Sequence, residues 1–304
     1  MNQTSFYPYG ALIIGVLSVS ASAIFVKLSA SPAPVTAFYR MFLSALILLP
    51  VFLMKSRKEI SGLTKKDWIF TVSAGVLLAF HFVLWFESLQ YTSVASSVVL
   101  VTLQPLFAFL GTYLFFKERL SIKAMVSALA AIGGSLIISW GDMKISGMAL
   151  FGDMLALLAC LMVTAYLLFG QEVRKRHSLT LYTGLVYGIS AAVLLIYCLV
   201  FSYPLAPKES GDWIYFILLA VFPNLLGHSL FNWALKWIST NTISVAILFE
   251  PVGAVILAYF ILGEVITLPQ IIGGTIIFGG ILWFLLGSRP KKNIQTAHEA
   301  GLAD

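Results

Sequence analysis

Residues 89–121 read LQYTSVASSVVLVTLQPLFAFLGTYLFFKERLS, and a related stretch, LKWISTNTISVAILFEPVGAVILAYFILGEVIT, occupies residues 235–267. The two stretches align without a gap at an offset of 146 residues, and the alignment extends over 48 positions with nine identities. Pro105 aligns with Pro251 in the middle of an apolar helix, and each copy continues with an acidic turn and an apolar helix that contains a glycine pair. This repeated order indicates a duplicated architecture.

The composition is that of a protein solvated by lipid. Of the 304 residues, 60% are hydrophobic and only 11% are charged. A soluble domain carries about 25% charged residues, so this chain lacks the polar side chains needed to cover a soluble surface. Its net charge of +6 comes without a basic run interleaved with base-stacking residues. The lipid bilayer is therefore an expected partner, and nucleic acid is not.

Ten segments are long and apolar enough to span a bilayer, which takes about 20 residues per helix. The predicted spans are Tyr9–Leu28, Val35–Met54, Trp68–Ser88, Val94–Phe116, Ile122–Trp140, Gly147–Gly170, Leu181–Phe201, Trp213–Leu235, Thr242–Leu262 and Ile266–Gly287. The sequence thus predicts an all-α membrane protein with a first five-helix repeat over 9–140, a second over 147–287 and a polar tail over 288–304.

Lysine and arginine fix the expected orientation, because they accumulate in cytoplasmic loops. With the N-terminus inside, fifteen of them fall in the predicted inner loops and tail, whereas only Lys27, Lys144 and Lys208 fall outside. Both termini and the tail are therefore predicted to be cytoplasmic. Since each half has five helices, the second half must enter the membrane from the opposite side. Inverted repeats of this kind are typical of transporters, in which a central site is exposed to either side in turn.

The two quoted stretches resemble the EamA-type domain of the drug/metabolite transporter superfamily. In that domain a proline interrupts an apolar helix, and a Gly-Glu or Lys-Glu turn leads into a glycine-rich final helix. The resemblance covers both halves and implies ten helices, two inverted repeats and a central cavity. It also implies a cell-membrane protein that exports, or more rarely takes up, a small metabolite such as an amino acid or a related compound. One departure is Lys117, which replaces the usual glycine before Glu118.

The alternatives to a transporter find little support among the motifs. An embedded enzyme would need a cluster such as HExxH or a GxSxG elbow, and the sequence contains neither. No GxxxxGK[ST] loop is present, so this chain is not predicted to bind ATP, and no cofactor is expected. A non-transporting membrane scaffold or receptor remains open, as does uptake instead of export. The oligomeric state is not predicted.

Pro105 and Pro251 are predicted to break the fourth and ninth helices. A proline inside a helix removes one backbone hydrogen bond and clashes with the carbonyl four residues earlier. In a membrane such a break is tolerated where neighbouring groups or a wet cavity satisfy the freed carbonyl. The corresponding positions of the two breaks favour hinges beside a cavity, and static kinks are the alternative.

Glu250 directly precedes Pro251, near the middle of its helix, whereas the equivalent residue in the first half is the neutral Gln104. A carboxylate at this depth is costly and commonly marks a transport pathway. It could carry a proton, pair with a substrate ammonium group, or make a structural hydrogen bond. Protons are thus a candidate coupling partner beside the small-molecule substrate.

Polar residues also mark the third and eighth helices. Asn224, His228 and Asn232 follow at a spacing of four, which places them on one helical face, and His81 and Trp85 have the same spacing. On the repeat alignment His81 falls next to His228. Cavity lining and ordinary packing are both consistent with these patterns. A metal site is not predicted, because no third suitable ligand lies nearby in the sequence.

Arg40 lies inside the second helix and follows Tyr39. Its guanidinium could extend to the outer interface or hold a substrate carboxylate. Glu118 and Glu264 are predicted to have structural roles in tight turns. Two pairs of small residues, Ala130 with Gly134 and Thr275 with Gly279, predict close helix packing.

Overall fold

The structure is a computed structural model, and it describes residues 7–92, 94–118, 121–140, 147–263 and 265–287. Within these ranges the chain forms helices and no strand. Five features that bear on the sequence predictions lie outside the described residues. They are Arg119, one of the fifteen basic residues assigned to the inner side, Lys144, Glu264, Ser93, one of the nine identities of the repeat, and the tail 288–304.

Fourteen α-helices can be given bounds within the described ranges. They are α1 (Tyr7–Ser20), α2 (Ser22–Leu28), α3 (Ala33–Lys55), α4 (Lys65–Tyr91), α5 (Val94–Val101), α6 (Gln104–Phe116), α7 (Ile122–Trp140), α8 (Gly147–Val173), α9 (Leu179–Val200), α10 (Asp212–Leu219), α11 (Ser229–Ala234), α12 (Thr240–Ile247), α13 (Glu250–Leu262) and α14 (Leu268–Gly287). A 3₁₀ segment covers Arg57–Gly62, and a π-helix over Ala220–His228 joins α10 to α11.

Eight continuous or interrupted helical segments are long and apolar enough to cross a membrane. They correspond to the predicted spans except the fifth and the tenth. For those two, the apolar stretches over 122–138 and 268–284 are shorter. As helices, α7 and α14 have 19 and 20 residues and rise about 28–30 Å, close to the roughly 30 Å hydrocarbon core. The multi-pass membrane character is therefore clear within the described ranges.

Local sequence explains several helix ends. The Thr64 side chain accepts a hydrogen bond from the Asp67 N–H while the Asp67 carboxylate accepts one from the Thr64 N–H, which closes a capping box at the start of α4. At the ends of α6 and α13, Lys117 and Gly263 adopt left-handed backbone angles with φ of 56° and 69°. Glycine adopts this conformation at no steric cost. Lys117 therefore occupies a position for which glycine is the favoured residue.

The predicted helix breaks at the two prolines are present. α5 ends at Val101 and α6 begins at Gln104, the residue before Pro105. In the second half, α12 ends at Ile247 and α13 begins at Glu250, the residue before Pro251. Each proline thus occupies the first turn of a new helix, where its missing N–H costs nothing.

Small residues allow α7 and α14 to cross closely. A Cβ atom added at Gly134 would lie 2.7 Å from the carbonyl oxygen of Gly273, and one at Gly280 would lie 2.9 Å from that of Ser127. The earlier residue of α7, Ser127, contacts the later residue of α14, Gly280, so the two helices run antiparallel. The predicted packing role of Gly279 with Thr275 is wrong, because nothing lies within 4 Å of a Cβ at Gly279. The contact uses the neighbouring helix face.

Two groups of helices define the centre of the molecule. In one group α8 packs against α4, α5 and α6. In the other α1 packs against the π-helix, α11, α12 and α13, and α2 packs against α10 and α13. α3 packs along α9 beside these groups, and α7 pairs with α14. The candidate site lies between the two groups.

Candidate functional site

A buried cavity lies between the two groups of helices, at the level of both helix breaks. Its lining residues are Val19, Ser22, Arg40, His81, Trp85, Val101, Gln104, Val163, Leu167, His228, Phe231, Ile247 and Glu250. Six of the predicted site residues therefore meet in one place. The cavity's free volume is about 20 Å³, enough for about one water molecule. Its walls must separate before a metabolite can enter.

Arg40 reaches this cavity from α3 and is completely buried, with 0% of its surface exposed. Its extension to the outer interface, one of the two sequence-based alternatives, is therefore wrong. Nη1 donates a hydrogen bond to Ser22 Oγ at 2.7 Å, and the guanidinium carbon lies 4.0 Å above the ring of Phe82. Nε and Nη2 have no hydrogen-bond acceptor among the described residues. These two donors are available to an anionic group in the cavity.

Glu250 lines the opposite side of the cavity at the start of α13 and is 7% exposed. No hydrogen bond or ion pair to its carboxylate forms within the described part of the chain. The equivalent Gln104, at the start of α6, also lines the cavity, and its Oε1 has no donor there. The residues Val101 and Ile247, four positions before the prolines, complete this wall. The helix breaks thus bring one carboxylate and one amide to the same site.

The aromatic part of the lining comes from α4, the π-helix and, through Phe231, α11. The rings of His81 and His228 are 6.3 Å apart, and His81 stacks on Trp85 at 5.9 Å. His81 Nδ1 is hydrogen-bonded to the Ala159 carbonyl at 3.0 Å, which fixes Nδ1 as the donor. His228 Nδ1 and Trp85 Nε1 are buried without a partner among the described residues. They add polar capacity to an otherwise apolar wall.

Three predicted site residues lie outside the lining. The Tyr39 hydroxyl donates to the Leu205 carbonyl at 2.9 Å, and its ring stacks on Phe216. The Asn232 side chain donates to the Tyr166 hydroxyl. Asn224 is fully buried, and its own carbonyl accepts a hydrogen bond from Ser229 at 3.3 Å.

The π-helix explains why the predicted asparagine stripe is divided. Spacing by four aligns side chains only in a regular α-helix. Pro223 lies in this segment, and the chain over Ala220–His228 is π-helical, with wider turns. His228 consequently lines the cavity, whereas Asn224, four residues earlier in the π-helix, does not. Asn232 lies in the following α-helix, α11, and is also outside the lining.

Sequence reasoning missed the contribution of the first and sixth helices. Ser22 from α2 and Val163 and Leu167 from α8 line the cavity. Below them, Gln171 on α8 and Arg174, the first residue after α8, are buried. Burial lowers the pKa of the Arg174 guanidinium from its ordinary value. The available signal was the pair of polar residues near the end of an apolar segment.

Comparison with known proteins identifies relatives over nearly the whole chain. The sequence model of the EamA-like transporter family matches residues 7–140 and 150–286. An uncharacterized transporter of Archaeoglobus fulgidus is 25% identical over 281 residues, covering 91% of this chain and 95% of the relative. The uncharacterized transporter YxxF of Bacillus subtilis is 24% identical over 285 residues, covering 93% and 91%.

A solved crystal structure has a similar fold. It matches with a TM-score of 0.73 at 17% sequence identity, over 91% of this chain and 97% of that chain.

Proposed function

Since the chain belongs to the EamA-like transporter family, we propose that it is a secondary transporter that moves a small zwitterionic metabolite, an amino acid or a related compound, by alternating access. It lies in the cytoplasmic membrane with both termini inside, and export is the direction that the sequence resemblance implies. Ten membrane helices form two inverted five-helix repeats, and the buried cavity between them is the substrate site.

The observation that carries the substrate class is the pair of opposite charges in the cavity. Arg40 presents two hydrogen-bond donors without acceptors, and Glu250 presents a carboxylate without a donor, among the described residues. Buried polar groups are normally hydrogen-bonded, so unsatisfied ones that face a common cavity indicate a missing ligand. The carboxylate of an amino acid would bind Arg40, and its ammonium group would bind Glu250.

The helix crossings support the inverted repeat. The offset of the repeat alignment converts the pair Gly134 and Gly273 into the pair Gly280 and Ser127, and both contacts occur. Mutual contacts of this kind arise when two equivalent elements are related by a two-fold axis. Because α7 and α14 are antiparallel, that axis is perpendicular to the helices, as an inverted repeat requires.

Two hydrogen bonds in the molecular interior repeat the same relationship. Ser190 donates to the Gly75 carbonyl at 2.7 Å, where α9 contacts α4. Ser44, the counterpart of Ser190 at the offset of the repeat, donates to the Ala220 carbonyl at 3.2 Å. Ala220 directly precedes the counterpart of Gly75 at that offset, so the two bonds are equivalent apart from a shift of a single position.

The helix ends supply a third equivalent pair and support the topology. Asp67 at the start of α4 accepts from the Arg176 guanidinium at 2.6 Å. Asp212 directly precedes the counterpart of Asp67 at the offset of the repeat. It accepts a hydrogen bond from the Ala30 N–H at 2.8 Å. In each case the contact joins two loops that the lysine and arginine distribution assigns to the same side of the membrane, inner for Asp67 and outer for Asp212.

The cavity lining itself is nearly symmetric. At or close to the offset of the repeat its members form pairs, namely Val19 with Val163, Ser22 with Leu167, His81 with His228, Trp85 with Phe231, Val101 with Ile247 and Gln104 with Glu250. Arg40 is the one described lining residue outside these pairs. The site therefore lies on the pseudo-two-fold axis, and Arg40 and Glu250 give it chemical polarity.

Protons are the candidate coupling ion. Glu250 is the carboxylate of the cavity, and a proton on it would remove the charge that pairs with the substrate ammonium group. Proton and substrate would then compete for the same group, which couples their movements.

A binding screen tests the proposal. Purified protein is heated with each of the twenty common amino acids, and the unfolding temperature is measured, because a ligand that binds the folded state raises it. One or a few amino acids are expected to stabilise the wild type, and the matching amine without a carboxylate is expected to have no effect. Equal stabilisation by that amine, or none by any amino acid, would reject the zwitterion assignment.

A further inference from the structure

One face of α8 makes hydrogen bonds to the other helix group below the cavity. These bonds lie towards the Val173 end of α8, which the lysine and arginine distribution places inside the cell. Leu167, Gln171 and Arg174 follow at spacings of four and three, so they stack along that face. Leu167 belongs to the cavity wall, and the other two are buried below it. This face is the route between the cavity and the Val173 end of α8.

The first layer joins α8 to α12. Gln171 Oε1 accepts a hydrogen bond from the Thr240 N–H at 2.6 Å, and the Thr240 hydroxyl donates to the Leu167 carbonyl at 3.3 Å. Gln171 also donates to Glu118 at 3.2 Å, which ties the layer to the end of α6. Beside it, the Thr112 hydroxyl of α6 donates to Asn241 of α12 at 2.9 Å.

The second layer joins α8 to α11. Arg174 Nε donates to the Asn232 carbonyl at 3.0 Å, and its Nη1 donates to the His177 carbonyl. The Asn232 side chain donates in turn to the Tyr166 hydroxyl of α8. Only 3% of the surface of Arg174 is exposed, so its guanidinium lies buried between the two helix groups and not at the protein surface.

We propose that Gln171 and Arg174, with Thr240 and Asn232 opposite them, form the gate that closes the cavity on the side of the Val173 end of α8. The bonds of Gln171 and Leu167 to Thr240, and of Arg174 to Asn232, join the helix group of α8 to the group of α11 and α12. The cavity lies between these groups. Separation of the groups on this side must break both layers. The inference rests on the proposed transport function, and it identifies the residues that control access to the site.

A related contact exists at the opposite end. Lys27, at the end of α2, donates through Nζ to the Leu89 carbonyl near the end of α4 at 2.7 Å. Lys27 and Arg174 occupy nearly equivalent places, since α2 ends at Leu28 and α8 at Val173. The repeat thus places one cation-to-carbonyl contact between the two helix groups on each side.

Accessibility of a cavity cysteine tests the gate without knowledge of the substrate. The native Cys160 and Cys198 are first replaced by alanine, and Val163→Cys is introduced in the cavity wall. Inside-out and right-side-out vesicles are treated with a membrane-impermeant maleimide, and the labelling rate is measured. Arg174→Gln and Gln171→Ala are expected to raise labelling about tenfold from the cytoplasmic side alone. Lys175→Gln, an exposed neighbour, is the matched control and is expected to leave the rate unchanged.

The outcomes separate the gate from the transport proposal. Equal labelling in wild type, Arg174→Gln and Gln171→Ala would overturn the gate, and so would a rise from both sides of the membrane, which would show general loosening. If Arg174→Gln fails to fold, Gln171→Ala decides alone. A rise on the cytoplasmic side supports the gate even where no amino acid binds, in which case only the substrate assignment fails.

Discussion

Arg40 and Glu250 face the same buried cavity, and no ion pair joins them within the described residues. Arg40 donates one hydrogen bond to Ser22 and leaves two guanidinium nitrogens without acceptors there. Two opposite charges that are kept apart across a cavity can be bridged by a molecule carrying both charges. This separation is the basis of the substrate assignment.

The cost of the buried guanidinium leads to the first prediction. Burial of a charged group that has no ion-pair partner is costly, so its replacement by an apolar residue of similar size removes this cost. We therefore expect Arg40→Met to keep or raise the unfolding temperature and to abolish stabilisation by the amino acids that stabilise the wild type. A large fall in the unfolding temperature would show instead that Arg40 holds the helices together.

The second prediction follows from the left-handed backbone conformation at Lys117. For a residue with a Cβ atom this conformation costs about 1–2 kcal/mol of folding free energy. The equivalent residue in the second half, Gly263, has no Cβ atom and does not incur this cost. Lys117→Gly should raise the unfolding temperature in detergent by a few degrees. Lys117→Ala removes the side chain but keeps the Cβ atom, so it should give no increase. If both variants behave alike, the backbone angle is not the cause.

The third prediction follows from the close crossing of α7 and α14. Gly134→Ala would place a methyl group against the Gly273 backbone, so we expect a loss of about 1–3 kcal/mol and a lower unfolding temperature. Gly279→Ala is the matched control on the partner helix, where nothing lies within 4 Å, and should be silent. A silent Gly134→Ala would disprove the tight crossing.

The fourth prediction concerns orientation. In a background with Cys160→Ala and Cys198→Ala, Ser61→Cys and Ser210→Cys occupy exposed positions in loops predicted to be inside and outside. An impermeant maleimide added to intact cells should label Ser210→Cys and spare Ser61→Cys, and inside-out vesicles should give the reverse. Labelling of Ser61→Cys in intact cells would contradict the predicted topology.

Features that depend on local chemistry were predictable from the sequence. The breaks at Pro105 and Pro251 follow from the missing N–H of proline, and the placement of Glu250 and Gln104 in one wall follows from the repeat. Serine is a favoured residue at the start of a helix, and the Ser121 hydroxyl accepts from the Ala124 N–H at 3.2 Å at the start of α7.

Features that depend on packing between distant segments were not predictable. Whether Arg40 extends to the interface or turns inward depends on the ring of Phe82 and on Ser22, which come from two other helices. The π-helix over Ala220–His228 separates the direction of Asn224 from that of His228, although Pro223 in the sequence indicated that the helix is irregular there. The buried role of Arg174 was hidden, because a basic residue after an apolar segment resembles an ordinary cytoplasmic anchor.

The central claim, that the cavity moves a zwitterionic metabolite held by Arg40 and Glu250, is tested most directly by transport. Proteoliposomes loaded with the twenty common amino acids are given an inward or outward proton gradient, and the released amino acids are measured by mass spectrometry. We predict that the wild type releases one or a few of them with a rate that depends on pH. Glu250→Gln should lower this rate by about tenfold or more, as expected for loss of a charge-assisted hydrogen bond of about 1.5–3 kcal/mol. Glu87→Gln, a membrane carboxylate outside the cavity, should retain the wild-type rate. A Glu250→Gln variant that keeps both the rate and the pH dependence of the wild type would contradict the account.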